Sequence, residues 1–433
     1  MTTLPAGLSA RAAALSALSD VLRRRRPLDT ALEDAIKQNS LEPRDAGFAR
    51  SIANETLRRF GQIDALIRQF VPKPPASHRA GLAPQILMNG VCELLFLGVV
   101  PHAAVNAANR LAAADNKAVH FKPLINAVLR RVTKEGHEAI AKQDAARLNT
   151  PDWLWQRWCD TYGEEAAHAI ASAHLVKPPT DFSFKTPSAS LLPEMVALPG
   201  NMQRLGDAGR IDALPGYADG HWWVQDFAAT LPAQLLGHMK GKTVIDLCAA
   251  PGGKTMQLAA MGANVIAVER EGTRLDRMRA NLARVKLDAT LAESDLRDYT
   301  PASPAHFILL DAPCSATGTI RRHPELPWIK SASDIVLSAQ AAGEYLDAAA
   351  DMLAVDGTLV FAVCSLEPEE GPEQVVAFLA RNDAFQRKAI RAEEIFGLQE
   401  LLTEDGDLRT LPCHFADKGG MDGFYAARLV RLR

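Results

Sequence analysis

The sequence predicts a multidomain chain with three parts. These are an all-α region over 1–147, a small α+β linker subdomain over 148–225, and an α/β domain with a largely parallel sheet over 226–433. Three observations carry this reading. Ala and Leu dominate the first third at helical spacing, Pro and Gly punctuate the middle, and apolar strand-like runs alternate with helical stretches from about residue 240. A length of 433 residues exceeds one ordinary domain.

In the first region Leu15, Leu18, Val21 and Leu22 recur on one helical face, and Pro27, the Pro72–Pro75 cluster, Pro101 and Pro123 mark breaks. The apolar stretch near 86–100 contains Asn89 and Glu93, so it reads as a buried helix and not a membrane span. The middle region carries Pro178-Pro179, Pro187, Pro199-Gly200 and Pro215-Gly216. In the last region the strand-like runs are 243–247, 264–269, 306–311 and 357–364, with a further strand in the tail at 423–431. Helices are expected near 254–261, 274–285 and 334–353. This alternation gives a Rossmann-like sheet with helices on both faces, whose ligands bind at the carboxyl ends of the strands.

Hydrophobic residues make up 48% of the chain and charged residues 23%, the composition of a soluble protein with sizeable cores. No basic start leads into an apolar core and cleavage site, so a cytoplasmic protein without a membrane partner is expected. Six scattered cysteines form neither a disulfide framework nor a zinc spacing, so no metal is expected. The net charge of −3 hides an asymmetry: residues 1–150 carry +8 and the remainder −11. A basic module joined to an acidic one suggests a polyanionic partner for the first.

Asp246-Leu-Cys-Ala-Ala-Pro-Gly-Gly-Lys-Thr255 closes the first strand and opens a helix. Gly252 and Gly253 let a ligand approach the backbone. The spacing matches neither a dinucleotide fingerprint nor a P-loop. Glu269, ending the second strand, can accept both hydroxyls of a ribose, and Asp295, after the third, can face an adenine amine. A ribonucleoside without phosphates, S-adenosylmethionine, suits this set.

Cys314 stands in Asp311-Ala-Pro-Cys-Ser-Ala-Thr-Gly318 and Cys364 in Val363-Cys-Ser365, each behind a strand-like run. Enzymes that methylate exocyclic amines commonly place Asn/Asp-Pro-Pro-Tyr/Phe after this strand. Cysteine there points to carbon. Cytosine C5 is a weak nucleophile until a thiolate adds to C6, and Asp311 is placed to assist at N3. A free thiol with a pKa near ~8.5 is mostly protonated at neutral pH, so the site must activate it. Arg321, Arg322 and His323 could assist that activation or hold an RNA backbone. Cys92, Cys159, Cys413 and Cys248 read as packing residues.

These residues resemble the NOL1/NOP2/Sun family of RNA 5-methylcytosine methyltransferases, over about residues 10–430. The loop ending in Thr255 resembles the family's first motif. Asp311 to Gly318, with Ile320-Arg-Arg-His-Pro324, resembles the fourth, and Cys364-Ser365 with Pro368-Glu-Glu370 the sixth. Val224-Gln-Asp226 resembles the entry to the catalytic domain. Arg44-Asp-Ala-Gly-Phe-Ala49, Pro101-His-Ala-Ala-Val-Asn106 and Leu124-Ile-Asn-Ala-Val-Leu-Arg-Arg131 resemble a NusB-like RNA-binding domain, the mark of the branch that modifies small-subunit rRNA.

The resemblance implies Cys364 as nucleophile and Cys314 as the residue that promotes product release. It implies S-adenosyl-L-methionine held by Cys248, Ala249, Ala250, Pro251, Gly252, Gly253, Lys254, Glu269, Asp295 and Asp311. It implies 16S rRNA as partner, modified before the subunit is complete because the base must be flipped into a pocket; a monomer is expected. Two other readings stand beside this one: the same chemistry on tRNA or 23S rRNA, and a NusB-like antitermination factor with an inactive methyltransferase half. Intact cysteines and cofactor loop argue against the latter. Three departures are visible. Val363 replaces the usual Thr, Glu269 stands where Asp is frequent, and Asp181-Phe-Ser-Phe-Lys-Thr186 replaces an Arg-x-Asn element.

Overall fold

A computed structural model of the chain describes residues 6–74, 77–187 and 192–433. Its contacts divide it into two units, Met1–Val176 with Ile320–Ser331, and Lys177–Thr319 with Ala332–Arg433. The 148–225 stretch is therefore shared: its helices go with the first unit and its strands with the second.

Helices build the first unit, among them Ala6–Arg24, Leu28–Gln38, Pro43–Arg58, Ala83–Leu95, Pro101–Ala114 and Lys122–Ala141. Proline starts several of them, since a first-turn residue needs no amide hydrogen: Pro43 and Pro101 open theirs and Pro123 is second in its own. Pro75 of the expected break lies outside the described residues. Leu15, Leu18 and Val21 are buried as their spacing predicts. The 83–95 helix is buried nearly all round, and Glu93 is neutralised there by Arg11 at 2.6 Å.

The segment Ile320–Ser331 also belongs to this unit. Ile329 packs with Leu18, Leu28 and Leu57, and the Trp328 ring lies 4.6 Å from Phe60. Trp328 Nε1 donates to the Leu57 carbonyl at 3.0 Å, and Arg58 Nη1 donates to the carbonyls of Arg321 and His174 at 2.9 and 2.8 Å.

The second unit begins with a small antiparallel sheet of β1 (Thr180–Phe184), β2 (Val196–Leu198), β3 (Met202–Leu205) and β4 (Trp222–Val224), in the order β2-β3-β1-β4. Phe182, Phe184, Leu205 and Trp222 form its core. Asp181 lies opposite Arg204 in the β1–β3 register, and the two form a fully buried ion pair at 2.6 Å. Arg204 Nη1 continues to the carbonyls of Lys418 and Gly420, while Asp181 Oδ2 accepts the Phe227 amide at 3.0 Å. Asp181, in the segment that departs from the family pattern, thus sits in a structural seam.

The large sheet comprises β5 (Thr243–Leu247), β6 (Asn264–Glu269), β7 (Thr290–Glu293), β8 (Ala305–Asp311), β9 (Leu353–Val363), β10 (Phe385–Arg387), β11 (Leu408–Thr410) and β12 (Phe424–Arg431). The order is β10-β12-β9-β8-β5-β6-β7, with β11 also on β12. Strands β5 to β9 run parallel; β12 is antiparallel to β9. β9 begins earlier than position 357, because the preceding helix stops at Asp351 and Ala305 already donates to the Met352 carbonyl at 2.9 Å.

Alternation decides which face each strand residue covers. Ile245, Leu247, Ile308, Leu310, Phe361 and Val363 meet Leu346, whereas Val244, Leu309, Val360 and Ala362 meet Leu231 and Leu258. Truncating a core residue such as Leu310 to Ala costs about 2–5 kcal/mol. The strand order reverses between β5 and β8, which opens a crevice at their carboxyl ends. The glycine-rich loop leaves β5 there, the Asp311 loop leaves β8, and Cys364 follows β9.

Candidate active site

The glycine-rich loop turns sharply because two residues take left-handed backbone angles, Cys248 at φ 59° and Gly252 at φ 100°. A Cβ at Gly252 would also approach Met278 Cγ to 2.7 Å, so the close turn requires glycine. Helix Gly253–Ala260 starts directly after it. Beneath the loop, Asp246 is fully buried and its Oδ2 accepts the Thr255 hydroxyl at 2.5 Å. Burial, offset by Thr255 and reinforced by the charge of Asp311, pushes the Asp246 carboxyl up to about 7.

Cys248, Glu269, Asp295, Leu296, Pro313 and Tyr345 line one cleft beside this loop. Glu269 is buried; its oxygens accept the amides of Ala250 at 3.4 Å and Glu271 at 3.1 Å, and Arg274 lies 3.2 Å away. Asp295 is gripped by Arg297 through two hydrogen bonds of 2.9 Å, which hold its carboxyl down at about 2. Burial pushes the Cys248 thiol well up, the state of a neutral packing group.

Across the crevice Lys254 Nζ donates to Asp311 Oδ2 at 2.8 Å, with the ammonium 4.9 Å above the Phe424 ring. Burial opposes the lysine charge. The charge and hydrogen bond of Asp311, with smaller contributions from Cys364 and Asp246, outweigh it and raise the Lys254 pKa.

The two cysteines meet: Cys314 Sγ lies 3.5 Å from Cys364 Sγ. The hydrogen bond to Cys364, then burial, then the charge of Cys364 push the Cys314 thiol well above its ordinary range. Cys314 therefore stays protonated and can donate to its neighbour. Both are half-buried and free. Val363 is fully buried in the apolar cluster on the face opposite the one Cys364 packs against. Strand alternation points a residue at 363 away from the thiol, so the Val-for-Thr departure changes the core side of β9.

The loops carrying the cysteines are cross-braced. Gly318 donates to the Cys364 carbonyl at 3.0 Å and accepts the Gly423 amide at 2.8 Å. A Cβ at Gly318 would stand 2.0 Å from that residue's carbonyl oxygen.

Of the basic residues after Cys314, Arg321 is buried at 1% exposure, its carbonyl held by Arg58. That removes Arg321 from the group able to hold an RNA phosphate; Arg322 and His323 keep partial exposure. All three belong to the helical unit, whereas Cys314 belongs to the other. Sequence reasoning listed Lys254 only among cofactor contacts and gave no role to Ser315, Ser365 or Glu370. The repeated Cys-Ser pair was a signal for the two serines, and none marked Glu370 as their partner.

The profile of the 16S rRNA methyltransferase RsmB/F family matches residues 233–430, and that of the NusB family residues 8–134. Ribosomal RNA small subunit methyltransferase B of Pseudomonas putida is 36% identical across 98% of this chain and 99% of its own. The chain belongs to the RsmB/F family. The RsmB/F protein of the same name from Cronobacter sakazakii is 34% identical over 98% of this chain and 99% of its own. Among solved structures, PH0851 matches the RsmB/F fold with a TM-score of 0.77 at 21% identity over 99% of both chains. NSun6 from Pyrococcus horikoshii, solved with SFG, covers 65% of this chain and 98% of its own at a TM-score of 0.55 and 18% identity. Among the described residues no helix is long and apolar enough to cross a membrane, and no His/Cys/Asp/Glu group could hold a metal ion.

Proposed function

We propose that this protein methylates C5 of a cytosine in 16S rRNA with S-adenosylmethionine, through a transient bond between Cys364 and C6 of the base. The observation that carries this reading is the 3.5 Å approach of the two thiols beside the Lys254–Asp311 pair. The names of the relatives supply the RNA.

The residues present fit the cofactor. The Gly252 turn offers backbone that a side chain would obstruct. Glu269 offers a carboxylate to a ribose diol, and Leu296, Pro313 and Tyr345 offer apolar surface to an adenine beside Asp295. Cys248 to Lys254, Glu269, Asp295 and Asp311 would hold it. Bound there, it supplies an electrophilic methyl group on sulfonium.

Cys364 acts as the nucleophile. The Cys314 thiol lies 3.5 Å from its sulfur, and the Lys254 ammonium is among the charges that interact with it. Addition of the thiolate to C6 forms a carbon–sulfur bond and moves an electron pair to C5. Asp311, oriented by Lys254, serves the N3 edge of the base as that charge develops. Once C5 is methylated, loss of its proton to a base restores the double bond and expels the Cys364 thiolate. Cys314 promotes this release as the adjacent proton donor. Arg322 and His323 supply RNA contacts, and the helical unit supplies more. We assign a monomer acting before the subunit is complete, since the cytosine must leave its stack.

Bisulfite mapping of rRNA from cells with and without this protein tests the proposal. One 16S cytosine should lose its protection when the protein is absent and regain it with the wild type, but not with Cys364→Ala. An unchanged 16S pattern, or restoration by Cys364→Ala, overturns the reading.

A further inference from the structure

We propose that Glu370 is a positioning residue that holds both reactive cysteines in register by binding the serine that follows each of them. This rests on the covalent reading above and adds to it the part that sets the geometry of the two thiols.

Glu370 ends the single turn Pro368–Glu370 and is fully buried. Its Oε1 accepts the backbone amide of Ser315 at 2.7 Å. Its Oε2 accepts the Ser315 hydroxyl at 2.5 Å and also the Ser365 hydroxyl. Ser315 and Ser365 are themselves fully buried, and their hydroxyls lie 3.3 Å apart. Each is covalently next to a reactive cysteine, yet the two are 50 residues apart in the chain.

One carboxylate therefore ties the β8 loop to the β9 loop at the level of the thiols. Thr317 completes the brace: its hydroxyl lies 3.3 Å from Ser365 Oγ and accepts the Leu366 amide at 3.0 Å. Arg409 Nη1 fixes the Ser365 carbonyl at 2.6 Å.

Burying a carboxylate is costly unless donors surround it, and here three converge on it. Burial, with a smaller push from the charge of Glu367, raises the Glu370 carboxyl, and the Ser315 and Ser365 donors pull against that. An apolar residue would fill the space without that cost but would connect nothing, whereas the carboxylate binds both loops. Cys314 and Cys364 hydrogen-bond each other only while both loops keep this spacing. Displacement by about 1 Å costs as much as a hundredfold in rate.

The two serines allow the two halves of the brace to be cut separately. Ser315→Ala loosens the Cys314 loop, leaving it only its backbone amide on Glu370, so release should slow and covalent protein–RNA adduct should accumulate. Ser365→Ala frees the Cys364 loop, so adduct should form more slowly. Glu370→Ala should show both defects and lower kcat by about a hundredfold, with little change in KM for either substrate. Glu370→Gln, which keeps one acceptor, should fall between. Attack is read on denaturing gels as the rate of adduct formation with an rRNA fragment carrying 5-fluorocytosine, which retains its C5 substituent and traps the adduct; release is read as the adduct that accumulates on the unmodified fragment, alongside turnover and with binding of S-adenosylmethionine as a fold control.

A wild-type protein that forms no trapped adduct refutes the covalent reading itself. A wild type that forms it, with Ser315→Ala, Ser365→Ala and Glu370→Gln all matching it in adduct formation and release, refutes the positioning role. Equal loss of every step in proportion to lost folded protein also refutes it, because a purely structural residue would not separate attack from release.

Discussion

Cys314 Sγ and Cys364 Sγ lie 3.5 Å apart, within hydrogen-bond reach of each other. Cys314 is pushed up by its hydrogen bond to Cys364 and by burial, and the Lys254 charge interacts with Cys364. The proposed division of labour, attack by Cys364 and release through Cys314, rests on that difference. Asp246 shows the same physics with an opposite consequence. Its folded-state pKa of about 7 lies above the ordinary aspartate value, so the folded state binds a proton that the unfolded chain has released. Stability from this group is present at pH below about 4 and falls as pH rises toward about 7. Asp246→Asn removes that loss. Thermal melts of the ligand-free protein should show the variant gaining on the wild type between pH 5 and pH 8; a constant difference across that range contradicts the assignment.

At the scale of elements, the site is made by loops at strand ends, and their chemistry was legible in the sequence. Thiols, a carboxylate and a glycine-rich turn are residue types that the reaction demands after β5, β8 and β9. The three parallel strands that carry them, β5, β8 and β9, read directly from apolar runs. Short antiparallel additions such as β10 and β11 did not, since three residues leave no period. The Glu370 brace was hidden because it joins positions 315, 365 and 370 through serines, which are ordinary loop residues until the fold brings them together. Arg321 was misplaced for a related reason. Its closeness in sequence to Cys314 suggested the site, but Trp328 and Ile329 draw the segment into the helical core. The Asp181–Arg204 seam supplies a test of element packing. Arg204→Met leaves Asp181 buried without its cation and should lower stability by about 3–5 kcal/mol in denaturant unfolding. A loss below about 1 kcal/mol would show that the pair does not hold the small sheet in place.

For the whole molecule, the excess positive charge of residues 1–150 is the basis of the proposed RNA contact through the helical unit. Neutralising fewer phosphates lowers the salt dependence of binding. Deleting residues 1–147 should therefore weaken binding to a 16S fragment and flatten its salt slope while leaving S-adenosylmethionine affinity less affected. It should also lower the melting temperature, because Ile329 and Trp328 lose Leu57 and Phe60. A truncated chain with the full salt slope would move the RNA contacts elsewhere. The central claim is chemical, and one gel tests it most directly. Cys314→Ala incubated with S-adenosylmethionine and a 16S fragment, then run under denaturing conditions, should give a slow protein–RNA band that vanishes when Cys364→Ala is added. No band with Cys314→Ala, or a band that survives the second substitution, would contradict attack by Cys364 and release through Cys314.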